Sequence, residues 1–252
     1  MILVTNDDGI DSPGLLGLAN AALAAGFEVT IAAPATESSG TSAGLTAAVD
    51  GRRVGVENRK LPGLEGQAVT HAVAAHPGLI AFTACRGGFG ETPEFVLSGI
   101  NRGANVGRAI LHSGTVGAAL TAGINGVSAL AVSLDVGLDP AEDHHWDTAA
   151  AMVGDTLKLL ADLPAGSVLN LNVPNLVSDQ VKPVQWAALA DFGVVQSRVE
   201  RLRDGFIDVT TVGVDTELEP GTDAALLAEG HATLTALRSV SEVPRADLPS
   251  LP

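Results

Sequence analysis

The chain has 252 residues, of which 46% are hydrophobic; that is enough for one large domain with its own core and excludes a disordered chain. Acidic residues outnumber basic ones by 29 to 14, giving a net charge of −15. A nucleic-acid polymer is therefore not an expected partner, and any phosphate handled here should be small and held by a metal or by backbone N–H groups. The lone Cys85 rules out an intrachain disulfide, the first residues (MILVTNDDG) lack a basic signal-peptide start, and no apolar run reaches the about 18 residues of a membrane helix; the expected setting is the cytoplasm.

Met1–Thr5 is a short apolar run that predicts a strand buried on both faces. Asn6-Asp7-Asp8-Gly9 breaks it. Ser12-Pro13 then opens a helix through Ala25, with Gly26 at its end, and Phe27–Ala33 reads as a second strand. Pro34–Gly44 is a polar Ser/Thr/Gly loop. Further along, Pro77–Ala84 is a helix, Phe95–Ser98 a strand, Gly114–Ile124 a helix, Ala129–Ser133 a strand and Trp146–Ala161 one long helix. Val168–Val173 is a strand closed by Pro174. This alternation predicts an α/β fold, a mostly parallel sheet with helices on both faces.

Beyond Pro174 the pattern changes to Val/Thr-rich pieces with turn signals at Asp204-Gly205 and Pro220-Gly221. The expected division is a core at 1–174, a β-hairpin arm at 175–220 and a segment at 221–252 that returns to the core. Within that last segment, Thr222–Glu229 reads as a helix, His231–Leu237 as a strand and the stretch from Pro244 as a frayed tail.

In open parallel sheets, ligands meet the carboxyl ends of the strands, and three polar clusters fall there. Asp7 and Asp8 can converge at the turn after the first strand, where two carboxylates repel unless a cation or proton compensates. Hard divalent ions take such all-oxygen sets; the alternative is a pair of turn caps. Gly99, Gly103 and Gly107 free the backbone around Asn101 and Asn105 to wrap an anion, or simply form a turn. His112-Ser113-Gly114-Thr115 precedes a helix and offers either an anion site or ordinary capping. A P-loop, a G-x-G-x-x-G fingerprint after the first strand and a G-x-S-x-G elbow are all missing.

The strings ILVTNDDGI, APATESSGTSAGLT, VLSGINRGANVG, ILHSGTVGAAL, NLNVP and GTDAALLAEGHATLTAL occur in this order. Together they resemble the SurE (survival protein E) family of metal-dependent acid phosphatases and 5′/3′-nucleotidases. The resemblance implies a Rossmann-like core and a C-terminal arm that builds homodimers or homotetramers. It implies one divalent ion, Mg²⁺ or Mn²⁺, on Asp7, Asp8, Ser39 and Asn101. Asn105 and Ser113-Gly114-Thr115 match phosphate-contacting groups, with Asn6, Gly40 and Asn101 beside them; Asp7, Asp8 and Asn105 are the implied catalytic set.

The chain departs from the family pattern in places. Ala75-His76-Pro77-Gly78-Leu79 stands where G-T-P-A-D is usual. Ser38 and Ser42-Ala43-Gly44 flank Ser39 in place of Arg and Gly-His-Ser, and Phe206-Ile207-Asp208-Val209 replaces an aromatic-rich arm segment. The reading is a small-ester phosphatase of nucleotidase type. Its alternatives are a phosphatase for a sugar phosphate or biosynthetic intermediate, and a non-catalytic binding relative.

Overall fold

The computed structural model describes residues 1–47, 49–50, 53–137, 143–191, 195–199, 209–213 and 217–241. In chain order the first elements are β1 (Ile2–Thr5), α1 (Pro13–Ala24), β2 (Val29–Pro34), β3 (Val49–Asp50), β4 (Arg53–Val54), β5 (Val56–Asn58), β6 (Ala68–Val73) and α2 (Pro77–Cys85). Next come β7 (Phe95–Arg102), a 3-10 turn at Arg108–His112, α3 (Gly114–Ile124), β8 (Ser128–Asp135), α4 (Trp146–Ala151) and α5 (Val153–Ala161). The remainder is β9 (Val168–Pro174), β10 (Lys182–Trp186), β11 (Val195–Val199), β12 (Val209–Gly213), α6 (Asp223–Ala228) and β13 (His231–Leu237).

Nine strands form one sheet in the order β10-β13-β9-β8-β7-β1-β2-β6-β5. The six strands from β9 to β6 are parallel, β5 and β13 run antiparallel to their inner neighbours, and β10 is parallel to β13. Read along the parallel part, the chain order reverses at β1, whose neighbours are β2 on one side and β7 on the other. That reversal is the topological switch point at which doubly wound sheets open a crevice for ligands.

Alternation along β1 divides the core. Ile2 and Val4 pack with Leu15 and Leu18 of α1 and with Val153 and Leu157 of α5. Leu3 faces the other way, onto Ile80 of α2 and Ala118 and Ala119 of α3. A strand buried on both faces reads as an unbroken apolar run because successive side chains enter different layers.

Three expectations change. The helix over 146–161 is interrupted at Met152, whose N–H donates to Ala149 O at 3.2 Å, so a tighter turn separates α4 from α5. β7 continues past Ser98 to Arg102, with a register shift between Ser98 and Asn101. Residues 182–186 are an edge strand of the main sheet, while β11 and β12, among the described residues, form a separate two-stranded pair. The strands β3 to β6 lie in a segment that carried no expectation. The Asp204-Gly205 turn, Phe206 to Asp208 and the tail from Pro244 lie outside the described residues.

Candidate functional site

Asp7 and Asp8 follow β1 after one residue, Asn6, and Asn101 lies near the end of the adjacent β7, so the switch point brings the first and third polar clusters together. Asp8 Oδ2 accepts the N–H of Arg102 at 3.2 Å, a direct bond between the two strand ends. The second cluster is tied to the same place: Ser38 N–H donates to the Asp7 carbonyl at 2.7 Å.

Asp7 is buried, and its carboxylate sits on the start of α3. The Thr115 hydroxyl donates to Asp7 Oδ1, and the N–H groups of Thr115 and Gly114 also face it. Gly114 is required by this approach, because a Cβ there would lie 2.8 Å from Asp7 Oδ2. Burial nevertheless raises the Asp7 pKa, against the pull of those donors. Asp8 is pushed up to about 6 by burial first, then by the negative charges of Asp7 and, more weakly, Glu37. The two carboxylates crowd each other, and among the described residues no third His, Cys, Asp or Glu joins them in a metal-holding group.

The donors present suit a hard divalent cation: two carboxylates, plus Asn101 Oδ1, which makes no hydrogen bond among the described residues while Nδ2 donates to Gly103 O at 2.7 Å. Ser39 is not turned onto the carboxylates; it is exposed and its hydroxyl donates to Glu37 Oε1 at 2.9 Å. Its oxygen keeps lone pairs, so it can join a metal only if the loop adjusts.

The remaining residues sort themselves by partner. Asn6, placed beside the phosphate by resemblance, is fully buried and engaged with one residue: Nδ2 donates to Gly9 O at 2.9 Å and Oδ1 accepts from Gly9 N at 3.2 Å. It shapes the turn that presents Asp7 and Asp8. Gly40 has a positive φ of +74° and open space around it. Ser113 is the N-cap of α3, accepting from Val116 N at 3.1 Å. Gly114 and Thr115 hold Asp7, as described.

Asn105 is clamped. Its N–H donates to Asn172 Oδ1 at 2.8 Å, and its carbonyl accepts from Asn170 Nδ2 at 2.8 Å and Asn172 Nδ2 at 2.9 Å. Its own Nδ2 donates to Ser133 Oγ at 2.9 Å. Two residues further on, Gly107 N–H donates to Asp223 Oδ2 at 2.8 Å; the fully buried Asp223 also accepts from Ala190 N and Ala224 N. Sequence reasoning missed Glu37, Ser133, Asn170, Asn172 and Asp223. The polar residues inside the otherwise apolar NLNVP run were the available signal, since a buried amide needs a partner.

A doubly wound sheet with paired carboxylates at its switch point defines an α/β protein built to hold a small ligand there. The survival protein SurE family profile matches residues 2–194. The chain is 37% identical over 240 residues to the 5′-nucleotidase SurE of Xanthomonas euvesicatoria pv. vesicatoria, covering 93% of this chain and 88% of that protein. It is 34% identical over 244 residues to the 5′-nucleotidase SurE of Stenotrophomonas maltophilia, covering 94% and 89%. The crystal structure of the SurE protein from Aquifex aeolicus superposes with a TM-score of 0.76 at 28% identity, covering 94% of this chain and 92% of that one. The chain belongs to the SurE family.

Proposed function

We propose that the chain is a metal-dependent phosphomonoesterase of the 5′/3′-nucleotidase type. One observation carries the reading: Asp7 and Asp8 crowd one point at the switch of the sheet, with Asp8 raised to about 6 by burial and by its neighbour. Relatives covering most of the chain bear the name 5′-nucleotidase SurE. Asp7, Asp8 and Asn101 would hold one Mg²⁺ or Mn²⁺, with Ser39 joining after a shift of its loop. When bound, such a cation neutralises phosphoryl charge and lowers the pKa of coordinated water.

The chain's own residues supply position and protons. The start of α3 fixes Asp7 through Thr115 and Gly114. One of Asp7 and Asp8 is placed to take a proton from an attacking water. Asn105, held rigid by three amide bonds to β9, would offer its second amide hydrogen to a phosphoryl oxygen. Fixed dipoles of this kind lower a barrier because they need no reorganisation as charge develops; losing one costs about two orders of magnitude in rate.

The departures at Ala75–Leu79 favour a second reading, a phosphatase of the same chemistry whose preferred ester is not a nucleotide. No helix among the described residues is long and apolar enough to cross a membrane, and the proposed location is the cytoplasm. Residues 175–220 are proposed as the arm of a homodimer or homotetramer; in support, β10 is an exposed edge strand. The test is a phosphatase screen on a metabolite panel with Mg²⁺ or Mn²⁺. Metal-dependent release of phosphate from nucleoside monophosphates supports the first reading, and preference for sugar phosphates the second. A flat profile with every metal overturns both.

A further inference from the structure

Polar and apolar residues alternate along two neighbouring strands of the sheet. In β9, Asn170 and Asn172 alternate with Leu169, Leu171 and Val173; in β13, Thr233 and Thr235 alternate with Ala232 and Leu234. A period of two sends each set to one face. Leu169, Leu171, Ala232 and Leu234 join the core on the α1 side, so the asparagines and threonines share the opposite face. The antiparallel register sets Thr233 against Asn172 and Thr235 against Asn170. The four side chains form a square that carries Asn105, and none is more than 5% exposed.

Asn172 is engaged at both ends of its amide by the Asn105 backbone. Asn170 is engaged at one. Its Nδ2 donates to the Asn105 carbonyl at 2.8 Å, which fixes the orientation of the amide because a carbonyl can only accept. Its Oδ1, Thr233 Oγ1 and Thr235 Oγ1 are buried without a hydrogen-bond partner among the described residues. Either hydroxyl has a proton to give that oxygen, yet neither makes the bond. Buried polar atoms of native proteins pair with protein or with ordered water. One acceptor and two hydroxyls offer three partners, the number a buried water commonly takes.

We infer that Asn170, Thr233 and Thr235 bind one structural water, and that the two threonines act through it as positioning residues for Asn105. The positioning role rests on the phosphomonoesterase reading; the water site does not. The water donates to Asn170 Oδ1 and to one hydroxyl and accepts from the other. Deprived of it, Asn170 satisfies Oδ1 only by turning its amide, and Nδ2 then leaves the Asn105 carbonyl. Asn172 grips the same backbone independently, so the loop stays in place but holds Asn105 less precisely.

The test uses the full-length protein. Its crystal structure is expected to show a water within hydrogen-bond reach of all three atoms. A threonine hydroxyl bonded directly to Asn170 Oδ1, or no water in the square, overturns the site and the role together. Thr233→Val and Thr235→Val, made singly, keep the shape and delete the hydroxyl; Thr233→Ser and Thr235→Ser keep the hydroxyl. The substrate is AMP with Mn²⁺, or p-nitrophenyl phosphate where AMP is not cleaved. Each valine variant is expected to lose about tenfold in kcat with KM unchanged, less than the about hundredfold that misplacing a reacting group by 1 Å costs. Each serine variant is expected to recover most of that loss. The positioning role is refuted if the valine variants match the parent, if KM rises as kcat falls, or if the serine variants fall as far as the valine ones. Should neither valine variant fold, the parent crystal structure still decides the site, and a serine variant with the full loss still refutes the role. A parent that shows the water but releases phosphate from no ester overturns the phosphomonoesterase reading and the positioning role, and leaves the water site standing.

Discussion

Asn172 grips both ends of the Asn105 backbone, accepting its N–H at 2.8 Å and donating to its carbonyl at 2.9 Å, from a strand two places away in the sheet. Both asparagines of β9 that point this way are fully buried. A side-chain amide thus stands in for the missing strand neighbour of a loop and holds it as firmly as a ladder would.

Asn172→Ala leaves that N–H without its acceptor, and a buried unsatisfied group costs about 1–3 kcal/mol. Thermal or denaturant unfolding should show a loss in that range. The fall in kcat should exceed any change in KM if Asn105 acts on the transition state, and the two parameters measured together distinguish this from global loosening.

Gly114→Ala places a methyl group 2.8 Å from Asp7 Oδ2 and 2.9 Å from its Cβ. The carboxylate must swing off the start of α3. Titration calorimetry with Mn²⁺ should show weakened binding, while far-ultraviolet circular dichroism stays close to the parent.

The paired carboxylates make stability depend on pH in opposite senses with and without metal. Without metal, Asp8 lies near 6 in the folded chain against 3.8 as its ordinary value, and Asp7 is raised as well. A raised folded pKa contributes stability that is complete below the ordinary value and lost as pH climbs through about 6. The metal-free protein should therefore melt at a higher temperature at pH 5 than at pH 7 as far as these groups decide. With saturating Mn²⁺ the order reverses, because the cation binds the ionised pair. Scanning calorimetry at the two pH values, with chelator and with Mn²⁺, checks both signs.

Asp223→Ala removes a buried acceptor from three N–H groups, those of Gly107, Ala190 and Ala224. The donors left behind are expected to destabilise the chain by several kcal/mol at most, in keeping with the loss of a hydrogen-bonded charged group. Hydrogen exchange should reveal the change first at Gly107 and Ala190, whose N–H groups reach the carboxylate across 116 and 33 residues of sequence.

Much of this was legible where a single local cause decides the structure. α3 begins at Gly114 and ends at Ile124 as its Ser cap and apolar run indicate. β1 and β9 are apolar runs buried on both faces, and helix-end glycines such as Gly26 punctuate the chain. The carboxylates were legible because Asn6-Asp7-Asp8-Gly9 interrupts a buried strand. β6 was not, since His71 and Thr70 blur its pattern, and nothing in the polar stretch before it marks a sheet. The partners of Asn105 and the orientation of Ser39 were beyond reach for another reason: they depend on which strands become neighbours, and that is fixed only when the sheet closes.

Asp8 and the Arg102 N–H that it accepts stand 94 residues apart in the chain, although their strands lie side by side. A ribosome making this protein finishes the acidic turn long before the strand destined to sit next to it has emerged. Until then the turn has no neighbour on that flank, and an amino-terminal fragment ending before Phe95 lacks Asn101 and the Arg102 N–H. Cation affinity should therefore appear abruptly during synthesis, making it a reporter of the moment the central strands dock.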